Sequence, residues 1–553
     1  MNGCMVAGLG RGLWRSVAGV VVVIAATGGC GRSGPPPVER EAAVAPMPAS
    51  VRETLLEGAI AVLGRLDDYD EAAAFTQVFD RINQWSHAER GGSHAERGAT
   101  SEAEPWRADP LVDTLPKTLL SDDVASSLAA DDFDAAIDMP SLRDQRWLAD
   151  IARQARGSAV DDLDVAEKLF EWTVNGLAIV SDPPGVPTET NAGSRWFLPG
   201  EIMLAGRGSA AQRAWIFLQL LRHAGLDGVM LATGADPATA RPWIPALVSG
   251  GEAYLFETTY GFAVPGPGGA GVATFRQAAA DPAILAALSL PERPYPVQAA
   301  DLRAVALLVA ADPFVLAQRM HRLEARLAGV STVSLSIAPA AVADRAHAAI
   351  GGVATVGRGL WAFPWEAFSR RRLPAVQAAA AAELAVMGIA MRLDGGNGSA
   401  QRSRVLRPLY AARVREFRGD LDGPDGAKAA YLAARPASSV MQAAVAGLPP
   451  PQAAATRRLY EQMKEDATYW LGLLTLAEGD FEAAIDYLDR MLLDAAPDSR
   501  WTDAARVALG RALVALGRTD DAIGVLRADT SPQRFGSRIR AARLAAAARE
   551  STR

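Results

Sequence analysis

Two stretches near the end of the chain are the same pattern written twice. YWLGLLTLAEGDFEAAIDYLDRMLLDAAP runs over 469–497 and VALGRALVALGRTDDAIGVLRAD over 507–529. Setting Leu471 and Gly472 on Leu509 and Gly510 places Gly479 on Gly517, Ala484 on Ala522 and Leu488 on Leu526, a constant offset of 38. Within each unit the apolar residues recur at helical spacing, and the central glycine separates two helices. Gly472, Ala484, Gly510 and Ala522 are small enough to let paired helices approach closely, while Trp470, Leu488 and Leu526 fill the space between. Two such hairpins cannot bury their own faces, so they need neighbours. Residues 402–419, 427–434 and 452–467 are expected to supply earlier, degenerate helices.

The pattern resembles the tetratricopeptide repeat (TPR), in a form longer than the usual period of about 34 residues. The extra residues fall in the loop PDSRW. The resemblance implies a protein or peptide partner at this region, packed through Gly472, Ala484, Gly510 and Ala522. The last 24 residues carry Arg534, Arg538, Arg540, Arg543, Arg549 and Arg553 against Glu550. This is read as a solvated basic helix face.

At the other end, residues 1–15 hold Arg11 and Arg15 and no acid. Ser16 to Thr27 is an apolar run too short to span a bilayer, which takes about 20 residues. A basic start, a short apolar stretch and small residues describe a secretory signal over 1–29. The run ends TGGC at Cys30 and continues into a Pro/Ala-rich tether over 30–50. Small residues before a cysteine resemble the lipobox of bacterial lipoproteins, with Thr27 where a Leu-like residue is usual. That implies a lipid on Cys30 and a place in the cell envelope, anchored to a membrane and facing the periplasm or exterior. An ordinary signal peptide or a short uncleaved anchor is the alternative.

Composition limits the chemistry. The only cysteines of the 553 residues are Cys4 and Cys30, and there are five histidines. The body therefore holds no disulfide, no cysteine-based metal site and no thiol nucleophile, so no metal and no cofactor are expected. A net charge of −7 argues against a nucleic-acid partner.

Between the ends, residues 51–140 read as a helical region. It contains the tandem SHAERGGSHAERG over 86–98, read as a solvated loop carrying His87 and His94, and an acidic segment over 121–138, also read as solvated. Residues 141–290 read as an α+β unit. Two helices lead to a strong apolar helix ending at Gly225, then to the strand-like runs GVMLAT, WIPALV and AYLFET with a turn at Gly250 and Gly251. Gly266 to Gly271 reads as a turn-rich loop, without the Gly-Lys-Ser/Thr ending of a phosphate loop. Residues 291–395 read as a small mixed α/β region: helices over 300–310 and 313–327, a strand at STVSLSIAP, a helix and a strand at VATVG. The aromatic run LWAFPWEAF in this region reads as packing. GGNGS marks the boundary to a helical region over 396–553, with its clearest repeats at 469–529. The fold class is thus α+β, mostly helical.

The stretches GRGSAAQRAWIFLQLLRHAGLDGVMLATG and RPWIPALVSGGEAYLFETTYG resemble the core of transglutaminase-like domains. In that family a cysteine opens the helix, a histidine on the next strands is its base, and an aspartate orients the histidine. Here Ser209 stands at the cysteine position, Trp243 in the segment of the histidine, and Glu257 at the aspartate. His223 lies 14 residues along the same helix, about 21 Å away by helical rise, out of reach of Ser209. An alcohol without a base is not activated. The expectation is a non-enzymatic lipoprotein that binds or scaffolds proteins, with a silent transglutaminase-like domain. The alternative is a hydrolase or peptidase of that class with a non-standard site at Ser209.

Overall fold

Six strands form one mixed sheet in the order Phe262–Ala263, Glu252–Glu257, Arg241–Ser249, Asp227–Thr233, Ala304–Val309, Thr355–Leu360. The computed structural model describes residues 48–96, 106–181, 196–328, 333–393 and 404–551. The apolar N-terminal run, Cys30, most of the tether, the Pro-rich loop after Ser181 and the GGNGS segment lie outside them. All neighbouring strands are antiparallel except the last pair, which is parallel. The hairpin between Ser249 and Glu252 turns through Gly250 and Gly251, both at positive φ, the geometry that two-residue hairpins require.

Side chains alternate across the sheet, so its central strands feed two cores. Met230, Ala232, Leu247, Phe256, Ala306 and Leu308 face the helix Ala210–His223. Val229, Leu231, Ala246, Leu255, Val305 and Leu307 face the other way, where the helix Pro339–Ile350 buries Val342, Ala343 and Ala346. Trp215 and Phe217 are fully buried, and Phe217 sits 5.0 Å from the Phe256 ring and 5.2 Å from Phe170 on the helix Asp162–Gly176. The described chain is a mostly helical α+β fold.

Several expectations change. The segment 300–310 is not a helix: AVALLV is the strand Ala304–Val309, paired on both sides. A continuous apolar run of six residues reads equally as a buried strand or a helix turn, and burial on both faces decides for the strand. The boundary at 290/291 accordingly falls inside one sheet, and 291–395 completes the sheet of 141–290. Residues 333–338 of STVSLSIAP form no strand. The boundary at 140/141 falls inside the helix Asp138–Arg156. The heptapeptide repeat is not a loop. Its described residues, 86–96, continue the helix Glu71–Glu96; a period of seven is close to two helical turns and keeps each copy on the same face. His87 there meets Asp132 at 3.1 Å. The side chain of His94 lies outside the described residues.

The acidic segment is not wholly solvated either. Asp138 is fully buried and holds Arg319 through two hydrogen bonds of 2.7 Å. Arg319 also donates to the Ser127 carbonyl, and the Asp134 N–H to Asp138, each at 2.7 Å. Burial pushes the Asp138 carboxyl up, and the Arg319 contacts pull it back.

In the C-terminal third, the expected helix over 452–467 is the first half of one 28-residue helix, Pro450–Ala477. The segment 402–419 opens with a short strand, Arg404–Leu406, before the helix Pro408–Arg418. The aromatic run LWAFPWEAF packs inward: Trp361 and Trp365 are buried, and Trp365 donates to the Ala311 carbonyl at 2.7 Å.

Candidate functional site

The repeat positions meet in equivalent pairs. A Cβ on Gly472 would lie 2.7 Å from Leu488, and one on Gly510 2.9 Å from Leu526. Both contacts are closer than real Cβ atoms allow, so each glycine admits the leucine of its partner helix. Ala484 and Ala522 are fully buried. The second helix of the first unit runs Phe481–Ile485 and then widens into a π-helix over Asp486–Asp494, whereas its counterpart Thr519–Arg527 is α-helical throughout. Gly510→Leu is expected to cost about 1–3 kcal/mol by overpacking, measured by chemical denaturation. Leu526→Ala in the same chain should recover part of that loss, since the two positions share one contact.

The repeat helices close against the sheet region. Gly206, at φ 62°, accepts the Trp470 ring so closely that a Cβ would sit 2.1 Å from it. Arg413 stacks on Trp470 at 3.6 Å and donates to the Met203 carbonyl at 2.8 Å. The loop PDSRW ends in a buried anchor, Trp501, while Pro497 and Asp498 stay exposed. Trp501 stacks on Tyr469 at 4.2 Å and donates to Asp466 at 2.7 Å. Arg500 pairs with the same Asp466 and with Glu383, which Arg207 approaches to 3.6 Å. Arg213, buried in the central helix, donates to the carbonyls of Leu177 and Thr258 and to Gln533. With no carboxylate in that set, burial lowers its guanidinium to about 9. No local spacing reveals these partners, since Arg213 and Gln533 lie 320 positions apart.

Two cavities flank an ion pair between Arg511 and Glu171 at 2.8 Å. One is about 600 Å³, between the helices Asp162–Gly176, Thr502–Ala515 and Arg534–Ser551. The other is about 340 Å³, on the side of Leu473 and Trp172. The chain's own helix Asp162–Gly176 thus shares a cavity wall with the first helix of each repeat. The basic C-terminal face is only partly solvated, because Arg540 and Arg543 line the larger cavity.

Ser209 is not brought together with Trp243 and Glu257, which meet each other through Tyr295. Ser209 is 3% exposed and caps the helix Ala210–His223. Its Oγ accepts from Gln212 N–H at 3.2 Å, and its own N–H donates to Gln212 Oε1 at 2.9 Å. This reciprocal cap satisfies two backbone donors. Trp243 is the extra residue of a β-bulge, passed over between Leu231–Ile244 and Ala232–Pro242. The bulge turns its ring onto the face opposite that helix, where it packs beside Tyr295. Glu257 follows Phe256 and so points to that same far face. There Trp243 donates to the Tyr295 hydroxyl at 2.9 Å, and Tyr295 donates to Glu257. Thr259 N–H completes the chain at 2.8 Å. Burial pushes the Glu257 carboxyl up, while Tyr295 and the backbone N–H groups hold it down. This arrangement orients side chains but contains no imidazole or amine to accept a proton.

His223, at the far end of the central helix, is held by Gln145 Oε1 on Nε2 at 2.9 Å and receives the Ser334 N–H on Nδ1 at 3.3 Å. Burial, reinforced by the Arg222 charge, depresses its pKa well below 6.5. The unfolded chain takes up this proton below about pH 6.5, and the folded one resists it. The contribution to stability is therefore present above pH 6.5 and lost as pH falls through that value toward the folded pKa, at up to about 1.4 kcal/mol per pH unit. Compared at pH 7.5 and 5.5, His223→Gln should lose less stability on acidification than the parent chain.

Among the described residues no group of three or more His, Cys, Asp or Glu could hold a metal ion. None of their helices is long and apolar enough to cross a membrane.

The tetratricopeptide repeat family profile matches residues 475–547. That match supports the repeat reading of the C-terminal part. The match runs past the repeats read at 469–529 and takes in most of the helix Arg534–Ser551. That helix packs on Thr519–Arg527 through Ile523, Leu526 and Ala541, and so belongs to the array. No curated protein and no solved structure matches the chain. Repeats of this family suggest a protein-binding or scaffold role for the C-terminal part.

Proposed function

We propose that this chain is a non-enzymatic lipoprotein of the cell envelope, held to a membrane by a lipid on Cys30, that binds or scaffolds other proteins through its C-terminal repeats. The middle region acts as a catalytically inactive transglutaminase-like platform on which the repeats rest. The observation that carries this reading is the repeat match at 475–547, joined to the two equivalent glycine–leucine contacts. Exposed apolar side chains support a docking role. Of the eleven large ones among the described residues, Leu432, Val440, Met491 and Val514 lie in the C-terminal helices, and Leu448 and Leu516 in the links between them. The inactive reading is supported by the capping role of Ser209 and by the occupied bonds of His223.

A photocrosslinking residue at Met491 or Leu516 should capture one discrete protein species in cells. The same residue at Val353, exposed but outside the repeats, should not. Ser209→Ala should leave that capture intact, and Ala522→Glu, which buries an unpaired carboxylate, should remove it. Absence of a crosslink at both repeat positions would discard the proposal. Cys30→Ser should abolish labelling by a clickable fatty acid, and persistent labelling would refute the anchor.

A further inference from the structure

The cavity of about 600 Å³ beside the second repeat falls in the range of about 300–1,000 Å³ typical of small-molecule sites. Its walls are largely apolar: Phe170, Val174, Val514, Leu526 and Leu544, with Gly510 between them. Its charged groups are unbalanced. Arg511, Arg540 and Arg543 line it against one acid, Glu171, and that carboxylate is already engaged by Arg511. Arg540 donates to the Gly261 carbonyl. Arg540 and Arg543 lie 5.8 and 5.2 Å from the Phe262 ring. Arg543 has no carboxylate partner among the described residues. Burial, with repulsion from Arg511 and Arg543, lowers Arg540 to about 10. An adjoining cavity of about 400 Å³, between the glycine loop at 266–269 and Ile284, also has Arg543 in its wall.

We propose that this cavity binds an amphipathic anion, an acyl chain lying on the apolar walls with a carboxylate or phosphate head at Arg540 and Arg543. An extended peptide fits less well. Every peptide residue brings an N–H and a C=O that need partners when buried, and Asn175 is the one neutral hydrogen-bonding side chain in the lining. A single anionic head on an apolar body matches both the charge excess and the walls. The site shares Val514 with the docking surface above, but its test does not depend on that reading.

Isothermal titration of the full-length chain with dodecanoate, dodecyl phosphate, dodecanol and an acidic pentapeptide tests this. At least one of the two anions should bind saturably at one per chain, and the preferred head distinguishes a fatty acid from a phosphate lipid. Dodecanol should bind at least about tenfold more weakly, the loss expected from one charge-assisted contact. Arg543→Glu should weaken the preferred anion by a similar factor, and Val514→Trp should block it. Both positions are exposed, and circular dichroism would confirm that the variants fold. The proposal is overturned if neither anion saturates, if dodecanol binds as tightly, if both variants bind unchanged, or if the peptide binds the cavity more tightly than either anion.

Discussion

Trp501→Ala should destabilise the chain by about 3–5 kcal/mol, the range for truncating a fully buried large aromatic. The indole is enclosed completely, stacks on Tyr469 and supplies a hydrogen bond to Asp466. Its removal leaves a cavity and takes one partner from a buried carboxylate whose pKa burial already raises. Asp466 would keep Arg500, so the pair survives in looser surroundings. Urea titration followed by circular dichroism gives the measurement. A loss below about 1 kcal/mol would mean that the loop repacks and that Trp501 is not an anchor. Trp501→Phe should recover much of the packing but not the bond to Asp466, which separates the two contributions.

Asp138→Ala should be comparably damaging, again about 3–5 kcal/mol, for an electrostatic reason. Arg319 would remain buried with its two carboxylate bonds gone and the Ser127 carbonyl as its remaining acceptor. An uncompensated buried charge is costly, whereas removing both charges together need not be. The double variant Asp138→Leu with Arg319→Met should therefore lie closer to the parent in stability than Asp138→Ala alone. Equal losses in the single and double variants would assign the effect to packing instead. Denaturant midpoints of the three proteins decide between the two accounts.

These residues mark where sequence reading stops. The repeat was legible because close helix contacts leave few choices: glycine or alanine where backbones meet, leucine opposite, at a fixed offset. The helix Ala210–His223 and its three strands were legible because their apolar period, their Gly225 stop and their Gly250–Gly251 turn are all local. The strand Ala304–Val309 was missed because six consecutive apolar residues carry no period. The ties that hold the regions together were missed for a different reason. Arg319 reaches back 181 positions to Asp138, and Arg413 reaches back 210 to Met203. Nothing in the neighbourhood of either arginine names its partner. The candidate site was legible only in its parts. Ser209 was placed correctly at a helix start, but the bulge that turns Trp243 to the other face depends on how two strands pair, not on either strand alone.

The socket formed by Gly206 for the Trp470 ring bears on how such a chain can change over generations. Modules that meet through water-filled interfaces can be exchanged by recombination, because each half stays folded without the other. Here the ring from one region fills a space that a glycine in the other leaves open, and one apolar cluster runs from the sheet through Trp470 and Trp501 to Leu513. A recombinant that joined these repeats to a different partner domain would expose that ring, and one that kept the sheet alone would expose its socket. The two regions should therefore be inherited together. Substitutions at position 206 should be tolerated only when position 470 changes with it.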